Sequence, residues 1–410
     1  MRIGIFTDSY TPYISGLVTS EVMLKEALEK LGHTVYVVTA NLENYKYTYD
    51  EKEKVIRIPG VPVGIYDARL TGIYPLQAIQ TIKSWNLDVI HSQTEFGVGT
   101  FARIIAKQFN IPIVHTYHTM YEDYIHYITK GHFMEPSKKI VQYLTKFYCD
   151  KTITELIVPT QKTYDLFKEK YQIKRNVHII PTGIEIEKFY KENFKKEEII
   201  RLRRSLKIST KDFILTFVGR LGKEKSVDFL IEAHKKITSK YKNVKLLIIG
   251  DGPEMDDFLS LTKKLNLEDH IIFTGKVPWA MIPLYYQLSN VFVTASNTET
   301  QGLTLIEAMA ASVPIVCLED DSFKIAVVDD LNGYFFKSQD EYVNRISYLI
   351  DNPKEFKRLS NQARVSSEMH SSKYFALKVL GVYEIAIQNK VKNSKLHKLK
   401  NAVKKVFNGK

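Results

Sequence analysis

The sequence predicts an α/β protein built from two doubly wound domains. Short apolar strands alternate with amphipathic helices in two successive arrays, one starting at residue 2 and the other at residue 214. A chain of 410 residues holds enough material for two separate cores. With 44% apolar and 25% charged residues, both arrays have the composition of folded domains rather than of disordered segments.

The first array opens with a buried strand at 2–6, a loop from Asp8 to Gly16 and a helix from Thr19 to Leu31 closed by Gly32. A second strand, Thr34–Val38, completes a β-loop-α-β unit of the kind that builds parallel sheets. Further strands are expected at Val55–Ile58, Val89–His91, Ile113–Tyr117 and Leu156–Val158. Turn residues around Pro181–Gly183 and the charged stretch Lys188–Arg204 mark a junction, which puts an N-terminal domain at 1–185 and a second at 186–370. The second array then reads as strands Ile214–Val218, Val244–Ile249, His270–Phe273, Val291–Thr294 and Val313–Val316, with helices Val227–Thr238, Met255–Lys264 and Leu303–Ala311 between them. A last helical pattern at 371–388 is expected to return to the N-terminal domain, and 389–410 is a separate basic tail.

Composition narrows the chemistry. The net charge of +12 implies attraction to polyanions such as phosphorylated ligands or anionic lipid surfaces. Cys149 and Cys317 stand far apart with no metal-type or redox-type partner, which suits a reducing cytoplasm and gives no reason to expect a metal. Asp8 follows a very short apolar run, so no secretory signal is expected, and no run reaches the roughly 18 to 20 apolar residues that span a bilayer.

The most informative segment is Ser296–Ala310. It follows a strand, turns at Gly302 and opens a helix, so backbone N–H groups and the positive helix end face a ligand, and an anion belongs there. Glu299 lies before the turn and Glu307 on the helix's second turn, flanked by Leu305, Ile306, Ala308 and Met309. Such a carboxylate needs a partner, and two carboxylates beside an anion site suit a ligand with hydroxyls on both sides of a diphosphate. A second segment, Gly219–Lys225, places Arg220 and Lys225 after the first strand of the second array, where they can neutralise a diphosphate, while Lys223 is expected at the surface. Gly250-Asp251-Gly252 is a tight turn lacking the third glycine of a dinucleotide fingerprint, since Met255 stands there.

In the first array, Gly16 ends the loop after strand one. It serves either as a plain turn glycine or as a point of close phosphate approach. His118 ends another strand at the edge where such sheets bind ligands, whereas His91 and His115 are expected in the core. The segment after it carries Tyr121, Tyr124 and Tyr127, whose apolar bodies and polar tips fit a lipid interface or buried packing. From Asn389 to Lys410 there are eight lysines and no acid, with Leu396, Leu399, Val403, Val406 and Phe407 at helical spacing. That composition reads as a helix lying on an anionic membrane or as a disordered solubilising tail. No nucleic-acid recognition motif accompanies the charge.

Glu299-x7-Glu307 with Gly302-Leu303 between, together with Gly219-Arg220-x4-Lys225, resembles the retaining glycosyltransferases of family 4 over nearly the whole chain. The resemblance implies the GT-B architecture, in which two Rossmann-like domains face a central cleft, and a sugar-nucleotide donor. It implies that Glu299 bonds the donor sugar, Glu307 the ribose and the Gly302-Leu303 amides the diphosphate. It further implies that Lys276 and Val277 lie in the base-binding segment and that His118 stands near the transferred sugar. His118-Thr119-Met120-Tyr121-Glu122-Asp123-Tyr124 and the opening Ile14–Ser20 are similar to the bacterial diacylglycerol glucosyltransferases. This second likeness implies a peripheral enzyme on the cytoplasmic face of the membrane that moves glucose from a UDP-sugar to diacylglycerol. It also implies no tightly bound cofactor, with magnesium stimulatory at most. Adding a second hexose to a glucosyldiacylglycerol, or binding nucleotide and membrane without catalysis, are the alternatives.

Overall fold

A computed structural model describes the chain except for residues 14, 42–45, 63–68, 71–73, 96, 119–141, 297–301 and 408–410, and except for the side chains of 61–62, 69–70 and 393–407. It forms two compact units, Met1–Thr182 with Phe375–Lys410, and Gly183–Tyr374. Glu299, Tyr121, Tyr124 and Tyr127 lie outside the described residues.

The first unit carries β1 (Arg2–Thr7), β2 (Thr34–Asn41), β3 (Thr48–Asp50), β4 (Val55–Pro59), the small hairpin β5 (Val61–Pro62) and β6 (Arg69–Leu70), then β7 (Val89–Ser92), β8 (Ile113–Thr116), β9 (Glu155–Val158) and β10 (Val177–Ile179). Its main sheet runs β10-β9-β8-β7-β1-β2-β4-β3, parallel throughout except for the β3 edge. Near-continuous apolar strands suit this arrangement because helices cover both faces. Phe6, Val38 and Ile90 pack with Phe101, Ala102 and Ile105 of the helix Val98–Gln108 on one side. On the other side Ile3, Ile5, Val35 and Val37 meet Leu24 and Leu28 of the helix Gly16–Lys30, together with Phe375, Val379, Val382 and Tyr383 from the chain's last helix.

That last helix is one element, Ser372–Phe407. It covers both the segment expected at 371–388 and most of the expected tail, and no break falls at 389. Three turns of buried contacts and the bond from Asn389 Nδ2 to Glu155 Oε1 (2.7 Å) seat its first half on the first unit. Among the described residues no helix is long and apolar enough to cross a membrane.

The second unit holds β11 (Phe213–Val218), β12 (Val244–Ile249), β13 (Ile271–Phe273), β14 (Val291–Thr294), β15 (Ile315–Leu318) and β16 (Gly333–Phe336) in a fully parallel sheet of order β13-β12-β11-β14-β15-β16. β15 begins two residues later than expected, because Pro314 removes one donor and the pairing with β16 starts at Ile315. β16 and the helices Gln339–Asp351 and Pro353–Ser367 extend the array beyond the expected elements.

Candidate active site

In each parallel sheet the carboxyl-terminal edge collects the loops, and the place where strand order reverses leaves a crevice for ligand. In the second unit that reversal lies between β11 and β14, so the loop at 219–226 and the residues that directly follow β14, Ala295 and Ser296, flank it. The first is tightly built. Gly219 N–H donates to the Ile249 carbonyl (3.0 Å), Leu221 N–H to Asp251 (3.0 Å) and Gly250 N–H to Gly275 (3.2 Å), tying together the ends of three neighbouring strands. Gly250 has φ +144°, and a Cβ there would lie 1.9 Å from the Gly219 carbonyl oxygen, so only glycine permits this approach. The turn brings Arg220, Lys225, Lys276 and Val277 to one edge, with Arg220 and Lys276 exposed and Lys225 and Val277 partly buried.

Gly302 caps the helix Leu303–Ala310 in the left-handed conformation (φ +59°, ψ +46°), and Leu303 is exposed at its first turn. Glu307 receives the partner its apolar surroundings demand. The hydroxyl of fully buried Tyr286 lies 3.0 Å from Glu307 Oε2 and 3.1 Å from the Thr304 carbonyl. Desolvation raises the Glu307 carboxyl to about 7, the tyrosine bond opposing it. Tyr286 carried no sequence signal, since an apolar helix of five residues gives no reason to single out one tyrosine.

In the first unit the order reverses between β1 and β7, so the loops after Thr7 and Ser92 flank the crevice. Gly16 begins the helix capped by Ser15, whose Oγ accepts from Val18 N–H (3.2 Å). A Cβ at Gly16 would meet no atom within 4 Å, so internal packing does not require glycine there. Asp8 accepts the Val98 N–H (2.7 Å) at the start of the helix Val98–Gln108, and burial pushes its carboxyl up to about 7. Glu21, on the first helix, is buried and held well above the usual carboxylate range, first by desolvation and then by Asp8.

His118 is partly buried, and its Nε2 lies 2.7 Å from Gln93 Oε1. Desolvation holds its imidazole down to about 4, with Glu95 opposing and His115 adding. Beneath it, His115 Nδ1 bonds the Ser92 carbonyl (2.9 Å) and Nε2 bonds Glu95 Oε1 (3.1 Å). Arg103 Nη1 donates to the Gly99 carbonyl (2.7 Å) and to Ser92 Oγ (3.2 Å). Glu95, His115 and Cys149 have ligand atoms within 4.8 Å of one another, the one such group among the described residues. Both His115 nitrogens are already engaged, Arg103 supplies the nearby positive charge, and burial pushes the Cys149 thiol well up from its usual range. His91 and His115 are buried. Asp8, Glu21, Gln93, Glu95 and Arg103 were not foreseen; Asp8 and Gln93 had a signal in their position directly after a strand.

Residues 14–188 match the family model described as Glycosyltransferase Family 4, and residues 198–366 match Glycosyl transferases group 1. The chain is 37% identical to the alpha-monoglucosyldiacylglycerol synthase of Acholeplasma laidlawii, over 97% of this chain and 100% of the relative. It is 35% identical to that of Streptococcus pneumoniae, over 84% of this chain and 77% of the relative. The crystal structure of Anabaena HepE with UDP-glucose aligns at TM-score 0.63 and 18% identity, covering 94% of this chain and 99% of that one, a likeness of fold. The chain belongs to the family 4 glycosyltransferases of GT-B architecture, of the alpha-monoglucosyldiacylglycerol synthase type.

Proposed function

We propose that the protein moves glucose from UDP-glucose to the free hydroxyl of 1,2-diacylglycerol with retention, at the cytoplasmic face of an anionic membrane. The observation that carries this reading is the end-to-end match to a protein named for that product. In it Arg220, Lys225 and the Gly302-Leu303 amides stabilise the departing diphosphate, Glu307 holds the ribose and Glu299 the transferred sugar. Lys276 and Val277 line the base segment, Gly16 admits the phosphate, and His118 stands by the sugar. Tyr121, Tyr124 and Tyr127 meet the lipid. The same reading makes 1–185 the acceptor domain and 186–370 the donor domain.

Mass spectrometry of lipids formed from a panel of UDP-sugars, offered with diacylglycerol or with monoglucosyldiacylglycerol, tests the assignment. A monoglucosyl product from UDP-glucose and diacylglycerol is expected; product only from the glycolipid acceptor would reassign the enzyme to a second-sugar step. Truncation after Lys392 is expected to abolish sedimentation with anionic vesicles while leaving UDP affinity unchanged, since lysines at a membrane surface contribute about 1 kcal/mol each.

A further inference from the structure

The buried polar residues of the first unit form a chain that ends on the candidate sugar-side histidine. Tyr383, on the C-terminal helix, lies with its hydroxyl 2.7 Å from His91 Nδ1, and the Thr116 hydroxyl lies 2.7 Å from His91 Nε2, so both in-plane positions of that ring are taken. Gln93 Nε2 stands 3.3 and 3.4 Å from the same two nitrogens. A group at those distances in the ring plane would collide with the Cε1 between them, so the amide lies over the ring face. There an N–H is attracted to the π cloud and a carbonyl oxygen is repelled. The amide orientation follows: Nε2 toward His91, Oε1 toward His118.

Oε1 only accepts hydrogen bonds, so its 2.7 Å contact with His118 Nε2 requires the proton on that nitrogen and leaves Nδ1 with a lone pair. We propose that Gln93 is a positioning residue that holds His118 as the Nε2–H tautomer with Nδ1 open as an acceptor, and that Tyr383 fixes Gln93 through His91. An acceptor nitrogen receives a hydrogen bond from a sugar or glycerol hydroxyl; the other tautomer would present a donor instead. Among the described residues, the charged and titratable groups around His118 are Glu95, His115 and His91. The proposal rests on the glucosyltransferase reading for its assay and on the hydrogen-bond geometry for its content.

The test pairs transfer kinetics, using UDP-glucose and vesicles containing diacylglycerol, with ¹⁵N-histidine NMR of the full chain. Gln93→Leu is expected to lower kcat about tenfold or more, with KM for UDP-glucose unchanged, as a wrong tautomer does in other imidazole-dependent enzymes. The His118 signal should pass from a single Nε2–H tautomer to a mixture. Gln93→Glu retains an acceptor and should keep activity at high pH, but its carboxylate favours the imidazolium and moves the acid limb of the rate profile upward. Tyr383→Phe should change the His118 signal in the same direction as Gln93→Leu, by less. Wild-type kcat and an unaltered His118 tautomer in Gln93→Leu overturn the proposal, as does an unmoved acid limb in Gln93→Glu should the leucine variant not fold. Full activity in His118→Ala instead defeats the catalytic reading, and the NMR measurement then still decides the tautomer.

Discussion

The two sheets present their carboxyl-terminal edges in opposite styles. The edge of the second unit leaves charge outward: Arg220 and Lys276 are exposed on loops built from glycine, and one partly buried carboxyl, Glu307, leans on one tyrosine. The edge of the first unit turns its polar groups inward, with His91, Gln93, Glu95, Arg103 and His115 bonded to one another or to backbone. Outward charge is available to a ligand that brings its own, as a diphosphate does. An inward network fixes the orientation of the few groups that reach the surface, which suits a site that must orient hydroxyls.

The contrast is tested most severely at the cations. If Arg220 and Lys225 carry the departing diphosphate, Arg220→Ala and Lys225→Ala should each lower kcat by about 10² to 10³-fold, measured as UDP release in the presence of acceptor. Loss confined to KM would mean that they bind the ground state and transition state equally.

Glu307 offers a smaller, pH-readable effect. An ionised carboxylate accepts from both ribose hydroxyls and a protonated one does so poorly, so UDP affinity should rise as pH passes upward through about 7. Tyr286 opposes the upward shift, so Tyr286→Phe should move that transition to higher pH, and Glu307→Gln should flatten it with about tenfold weaker binding. Calorimetric titration of UDP between pH 5.5 and 8.5, a range of about 1.5 units either side of the raised carboxyl, would show an unmoved transition if the tyrosine bond were incidental.

Asp8 gives the mildest effect, on stability alone. Its folded carboxyl is raised from 3.8 to about 7, so ionisation costs more in the folded state and its penalty grows as pH rises across that interval. Asp8→Asn keeps an oxygen for the Val98 N–H and removes the penalty. Its thermal midpoint should exceed the wild type by a few degrees at pH 8 and match it near pH 4; equal midpoints at pH 8 would show that water relieves the carboxylate.

The same contrast explains what could be read from sequence. The donor edge is written in short contiguous runs, Gly219–Lys225 and Gly302–Glu307, each tied to one strand end, and the strands themselves follow apolar runs whose limits pairing moved by one to three residues. The first unit's network joins His91 to Tyr383 across 292 positions, and Glu155 to Asn389 across 234. No local pattern announces such pairs, because each partner alone is an ordinary residue in a strand or a helix. The short β16 and the helices Gln339–Asp351 and Pro353–Ser367 were not among the expected elements: β16 has only four residues, too few for a pattern, whereas Tyr342, Ile346 and Leu349 stand at helical spacing and were a legible signal that went unread.

The seating of Ser372–Phe407 on the first unit also orders events during synthesis. Ile3, Ile5, Val35 and Val37 leave the ribosome before Gly183–Tyr374, whereas Phe375, Val379 and Val382, which cover them, leave after it. The first unit therefore keeps an apolar sheet face open while the whole of Gly183–Tyr374 is made and is free to fold. The half of the protein that begins first is finished second, and a nascent chain stalled before residue 375 would carry that uncovered face as a ready target for chaperones.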